Sequence, residues 1–132
     1  NNFLNNDKDK FIKIFDIYKK NLNFYKELEN IAKIYFSNNN ELDLNNEFKK
    51  FDHKLIIEFK NFIDKITNWD INNLKKEIDN FILIKKIKFS SLGIPIRNIL
   101  INSSKGPGLH EIFYILGKKI SIERIKNYIS KI

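Results

Sequence analysis

Residues 90 to 122 read SSLGIPIRNILINSSKGPGLHEIFYILGKKISI. Two apolar segments, Leu92 to Ile101 and Leu109 to Leu116, are joined by the polar turn Asn102-Ser103-Ser104-Lys105-Gly106-Pro107-Gly108. Proline is tolerated in the first turn of a helix, where its missing N–H has no partner to lose. Pro95 and Pro107 are therefore expected in the first turns of two helices, and Gly117 is expected to stop the second in the left-handed conformation. Leu92, Ile96, Ile99 and Leu100 share one helical face, and Arg97 lies roughly 100° round from Ile96, at its edge. The reading is a helix–loop–helix that presents one arginine and one glycine-rich loop.

Upstream, the apolar spacing is helical throughout. Asp7 is expected to cap a first helix running to about Asn21, with Phe11, Ile14, Phe15, Tyr18 and Leu22 on one stripe. Asn23 opens a second, carried by Phe24, Leu28, Ile31, Ala32 and Tyr35, and the asparagine run at 38–40 reads as a loop. Asn45 or Asn46 then caps a long helix to about Thr67, marked by Phe48, Phe51, Leu55, Phe59, Phe62, Ile63 and Ile66. Thr67 to Asp70 is a turn, and Asp70 caps a fourth helix bearing Leu74, Ile78, Phe81 and Ile82. Residues 82–89 fit either the end of that helix or an added extended segment, Ile87 to Phe89. Ser121 is expected to cap a last helix with Ile122, Ile125, Tyr128, Ile129 and Ile132 apolar. With no internal repeat and no strand alternation, the fold class is all-α, a helical bundle.

A chain of 132 residues is one domain's worth and buries roughly 65–70% of its unfolded surface. Hydrophobic residues at 42%, with 12 Phe, support a packed core rather than disorder. The absence of cysteine removes disulfides and thiolate metal sites, and makes a reducing, cytoplasmic location the expectation. No apolar run approaches the roughly 18–20 residues of a membrane span. The chain holds no methionine, even at position 1, and so reads as a piece of a larger protein.

The net charge of +8 is unevenly placed. Lys, Asn and Ile make up half the chain, so lysine abundance alone says little. Residues 85–132, however, carry ten Lys and Arg against only Glu111 and Glu123, whereas residues 1–84 carry fourteen of each sign. A one-sided basic field is what a phosphate-binding surface requires.

Catalytic chemistry finds no purchase. His53 and His110 are the only histidines, without an H-E-x-x-H or Cys/His cluster. His53 is expected at the surface or boundary of its helix. His110 and Glu111 are sequence neighbours, which do not face each other on a helix, so they make no acid–base pair. Gly106-Pro107-Gly108 lacks the Gly-Lys-Ser/Thr ending of a Walker loop. It reads equally as an ordinary loop and as a helix start whose N–H groups meet phosphate or base edges.

Arg97 is one of two arginines among 24 basic residues. In a chain so rich in lysine, it points to a need for a planar, forked donor; the competing reading is an ion pair with Glu111 or another acid. Arg124 reads as structural. Lys85, Lys86, Lys88, Lys118 and Lys119 are candidates for phosphate contacts, each as readily a solvated side chain. The Phe and Tyr residues mostly follow helical spacing and are expected in the core, not as base-stacking platforms.

Pro95-Ile96-Arg97-Asn98-Ile99-Leu100-Ile101-Asn102, then Gly106-Pro107-Gly108-Leu109-His110-Glu111 and Leu116-Gly117-Lys118-Lys119, form an ordered set over about forty residues. This set resembles the C-terminal end of bacterial-type glutamyl-tRNA synthetases, a class I aminoacyl-tRNA synthetase family. That family writes P-L-R-x-A-L-T-G, a turn, S/T-P-G-L-F-E and L-L-G-K-E. Lys26-Glu27-Leu28, Ala32 to Phe36 and Trp69-Asp70 are weaker echoes of its upstream segments. Asn102, Gly106 and His110 depart from the pattern, and Asn21-Leu22-Asn23-Phe24 stands where the family has the basic R-x-K-T.

The resemblance implies an anticodon-binding domain of two helical subdomains, 1–88 and 89–132, the second carrying the anticodon-reading loop. RNA would be bound by Arg97, Gly106, Pro107, Gly108, Leu109 and His110, with Lys118 and Lys119 on the backbone. It implies a glutamate-accepting tRNA as partner, with glutamine-accepting tRNA left open, and no membrane. The parent would be monomeric and join glutamate to tRNA using ATP and Mg²⁺. This piece lacks the H-I-G-H and K-M-S-K-S motifs, so it is expected to be inactive alone, with no cofactor, catalytic residue or metal. The rival class is a non-RNA helical interaction or structural module with a basic end.

Overall fold

The computed structural model of the chain describes residues 2–20, 24–37 and 51–132. Among the described residues there are seven α-helices and no strand: α1 (Asn2–Tyr18), α2 (Phe24–Phe36), α3 (His53–Asp64), α4 (Ile71–Lys85), α5 (Phe89–Ile101), α6 (Leu109–Leu116) and α7 (Lys118–Ser130). This is the all-α bundle that the spacing predicts.

The short α6 lies at the centre because its sequence allows nothing else. Leu109, Ile112, Phe113, Ile115 and Leu116 are all buried, and a helix apolar nearly all round must be wrapped. The helices α4, α7, α5 and α1 wrap it. Phe59 of α3 meets Phe81 of α4 and Phe113 of α6 at centroid distances of 5.1 and 5.9 Å, aromatic packing that adds to area burial. Trp69 seals this corner: its indole N–H donates to Phe113 O at 2.8 Å while the rings meet edge-on. One continuous core spans both sides of the turn at Ile87–Lys88.

Helix boundaries follow their caps, and several differ from expectation. Asp70 caps α4 as expected, accepting from Asn72 N and Asn73 N. Asp7 lies inside α1, which already begins at Asn2. The third helix starts at His53, because the extended Asp52 accepts from Leu55 N at 3.1 Å, and it ends at Asp64 rather than Thr67. The Asn45/Asn46 cap, the 38–40 loop and the junction at 21–23 lie outside the described residues. Lys86 closes α4 in the left-handed region (φ 55), Ile87 and the extended Lys88 (φ −76, ψ 148) join the two helices, and α5 opens at Phe89, so the expected extended stretch is confined to the junction and Phe89 is helical.

Pro95 is the main correction. Because α5 starts at Phe89, Pro95 sits in its interior and removes the hydrogen bond that Ser91 O would accept. Its ring is buried among the core residues, which keeps it there. Pro107 precedes α6, whose cap is Gly108. Gly117 ends α6 with φ 82 and ψ 161, outside the left-handed helical region, and at once starts α7. Ser121 is therefore inside α7, fully buried, its hydroxyl unpaired among the described residues.

Candidate nucleic-acid interface

The Arg97 side chain leaves the edge of α5 half-buried and turns towards the loop that follows the helix. Its Nε donates to Pro107 O at 3.0 Å. Its guanidinium carbon stands 5.4 Å from the centroid of the Phe89 ring, within cation–π range. The ion pair with Glu111 in the competing reading does not form. Glu111 instead reaches back to Gly108 N at 2.9 Å, the carboxylate half of a capping box at the start of α6. Loop and arginine are thus held by separate backbone contacts, and the guanidinium keeps its charge uncancelled.

Gly93 makes the Phe89–Arg97 contact possible. A Cβ there would lie 2.7 Å from Phe89 Cε1 and 3.2 Å from Arg97 Nη1. Phe89, Gly93 and Arg97 are four apart, so they stack on successive turns. Phe89 remains 43% exposed, contrary to the expectation that aromatic residues belong to the core. That spacing was legible in the sequence; placing the helix start at Leu92 concealed it.

His110 lies over Gly108, where a Cβ would stand 2.5 Å from His110 Cε1. Burial lowers its pKa, outweighing a rise from Glu111, so the imidazole is mainly neutral at pH 7. His110, Gly108, Leu109 and Phe89 line a cleft of about 320 Å³ with Lys75, Ile78 and Asp79 of α4. On the loop's other side, Lys105 and Gly106 border a second cleft of about 320 Å³ with Tyr18, Glu27 and Tyr35. Leu109 turns its side chain into the core.

Not every expected site residue joins this group. Lys118 donates from Nζ to Ile66 O at 2.7 Å. With Lys119 it lies at the far end of the eight-residue α6, about 12 Å of helix rise from Gly108. Lys85 pairs with Glu58. Lys86 and Lys88 are exposed beside Phe89, and Lys105 is exposed in the loop. His53, half-buried at the start of α3, packs edge-on against Tyr128. Among the described residues no group of three or more His, Asp or Glu could hold a metal ion, and no helix is long and apolar enough to cross a membrane.

The chain is similar to known proteins over nearly its whole length. The family model described as "Anticodon binding domain" matches residues 1–129. Similar curated proteins include the glutamate–tRNA ligase of Mycoplasma mycoides subsp. mycoides, 29% identical over 84% of this chain and 24% of its own length. That of Buchnera aphidicola subsp. Cinara cedri is 31% identical over 90% of this chain and 22% of its own. That of Mycoplasmopsis pulmonis is 30% identical over 95% and 27%. The chain spans about a quarter of the length of these relatives. No solved structure gives a significant match.

Proposed function

This chain belongs to the anticodon-binding domain family, and from that premise we propose that it recognises the anticodon of a tRNA as the C-terminal part of a glutamate–tRNA ligase. The observation that carries the reading is Arg97, fixed through Nε by Pro107 O, with the exposed Lys88 and Lys105 on the flanking segments. Residues 1–88 act as the supporting subdomain and 89–132 as the one that reads. Single-stranded anticodon bases splay out against Arg97, the 106–110 loop and the exposed lysines around it, the usual mode of sequence-specific RNA recognition.

The parent attaches glutamate to tRNA using ATP and Mg²⁺, is monomeric and works in the cytoplasm. This piece binds RNA without catalysing. The test is affinity for an anticodon stem-loop of glutamate tRNA against the same stem-loop with a substituted anticodon. A preference for the former is expected; equal affinities, or no binding of either, overturn the reading in favour of a protein-interaction module. A glutamine-tRNA stem-loop as third ligand settles whether the parent discriminates between the two acceptors.

A further inference from the structure

We propose that Phe89 is a positioning residue for Arg97 and that its exposed ring surface stacks against the RNA base that Arg97 reads; this rests on the anticodon-binding reading above. The ring does two jobs that the geometry separates. Part of it lies against the guanidinium, 5.4 Å from centroid to Cζ. The remainder faces the cleft shared with Gly108 and His110.

A guanidinium held only at Nε is free to swing about its terminal torsions, and a fork that swings discriminates poorly between base edges. Pro107 O fixes one edge of the Arg97 fork and the Phe89 face restrains its plane. Gly93 is the clearance that brings the two side chains together, since any Cβ there collides with Phe89 Cε1.

Phe11, Phe15 and Phe36 are exposed to a similar extent, and what sets Phe89 apart is its place: its open apolar surface lies beside the Arg97 guanidinium, His110 and the loop backbone. An unstacked nucleobase fits that chemistry, with a flat face for the ring and polar edges for the fork. Base–aromatic stacking is tolerant of base identity. Phe89 therefore supplies affinity for any base placed there and gives selectivity only through Arg97.

The experiment compares wild type, Phe89→Leu and Phe89→Tyr, using the two stem-loops of the previous section and thermal melting as a fold control. Phe89→Leu keeps apolar volume and loses the π face. Cognate affinity is expected to fall roughly tenfold as the stacking face is lost, with part of the preference between the stem-loops lost as well. Phe89→Tyr should restore both. In the free protein, the Arg97 Nε–H resonance should lose its ring-current shift in Phe89→Leu and regain it in Phe89→Tyr. If wild type prefers neither stem-loop, the functional reading falls and this inference with it. If wild type discriminates and Phe89→Leu binds both stem-loops as wild type does, only the role of Phe89 is overturned. A loss that Phe89→Tyr fails to rescue at unchanged melting temperature overturns it too.

Discussion

Nη2 of Arg124 donates to the carbonyl oxygen of Ile34 at 3.0 Å, joining residues ninety positions apart. The same nitrogen reaches Ser37 O at 3.3 Å, and Nη1 donates to Leu100 O. These carbonyls belong to the ends of α2 and α5, where helix geometry leaves acceptors unpaired and the dipole favours a cation. Only 1% exposed, Arg124 offsets the cost of its own burial by serving two helix ends at once. It is the polar joint between α2 and the body of the bundle.

Arg124→Met should therefore cost about 2–4 kcal/mol, because buried acceptors lose charged donors. Arg124→Lys should recover less than half, since one ammonium cannot span both helix ends. Urea unfolding measures both. Wild-type stability in Arg124→Met would show that the joint carries no energy.

Alkaline pH should give a stability maximum. Burial, helped by the charge of Arg124, lowers Lys10 to about 8. Between pH 8 and the ordinary lysine value of 10.5, the folded chain has lost a proton that the unfolded chain keeps. Stability from this group therefore rises with pH across that window. Burial raises the hydroxyls of Tyr18 and Tyr35, which share a 2.8 Å hydrogen bond. Above pH 10 the unfolded tyrosines ionise while the folded pair resists, so stability then falls. Denaturant midpoints from pH 7 to 11 should rise and then fall. Lys10→Met should flatten the rise and leave the fall; an unchanged profile in that variant would refute the assignment.

How much of this was legible beforehand follows from what each feature depends on. The helical stripes, and with them Leu74, Ile78, Ile99 and Ile125 in the core, depend on local periodicity alone. Asp70 was legible because its carboxylate caps within three residues. Pro95 and Ser121 misled because first-turn preference is only a local bias, and packing extended both helices past it. The partners of Arg124 were invisible, since nothing local connects position 124 to 34 or 100. In the site, Arg97 and its loop were readable as motif, whereas the engagement of Lys118 with Ile66 O depends on how α7 meets the end of α3.

The lysines should divide by position. Reversing charge at Lys88 or Lys105, exposed near the reading loop, should weaken RNA binding and reduce the salt slope by roughly 0.7 per lost phosphate contact on single strands. Lys118→Gln should leave that slope unchanged and lower stability by about 1 kcal/mol, through its lost bond to Ile66 O. Salt titrations of binding and urea curves for the three variants separate these roles. A slope reduced only in Lys118→Gln would move the interface to the far end of α6.

Arg97 gives the sharpest test of recognition. Its charge and its shape make different contributions, and lysine separates them. Arg97→Lys keeps a cation near the loop, so long-range attraction to phosphate survives. It loses the Nε donor to Pro107 O and the flat face presented to Phe89, and with them any two-pronged contact to a base edge. Such a contact is worth roughly 1–3 kcal/mol of discrimination between bases, by analogy with groove readout. The preference for the cognate stem-loop should accordingly drop by about tenfold or more in Arg97→Lys, with affinity for unrelated single strands held within about twofold. Arg97→Ala should lower both. Folding should suffer little in either variant, since the arginine is half-exposed and makes one neutral-acceptor hydrogen bond, a contribution of about 1 kcal/mol. Stem-loop binding by both variants, with melting curves alongside, decides the matter. If Arg97→Ala unfolds the domain, or if Arg97→Lys discriminates as wild type does, Arg97 serves to brace the loop and the base is read elsewhere.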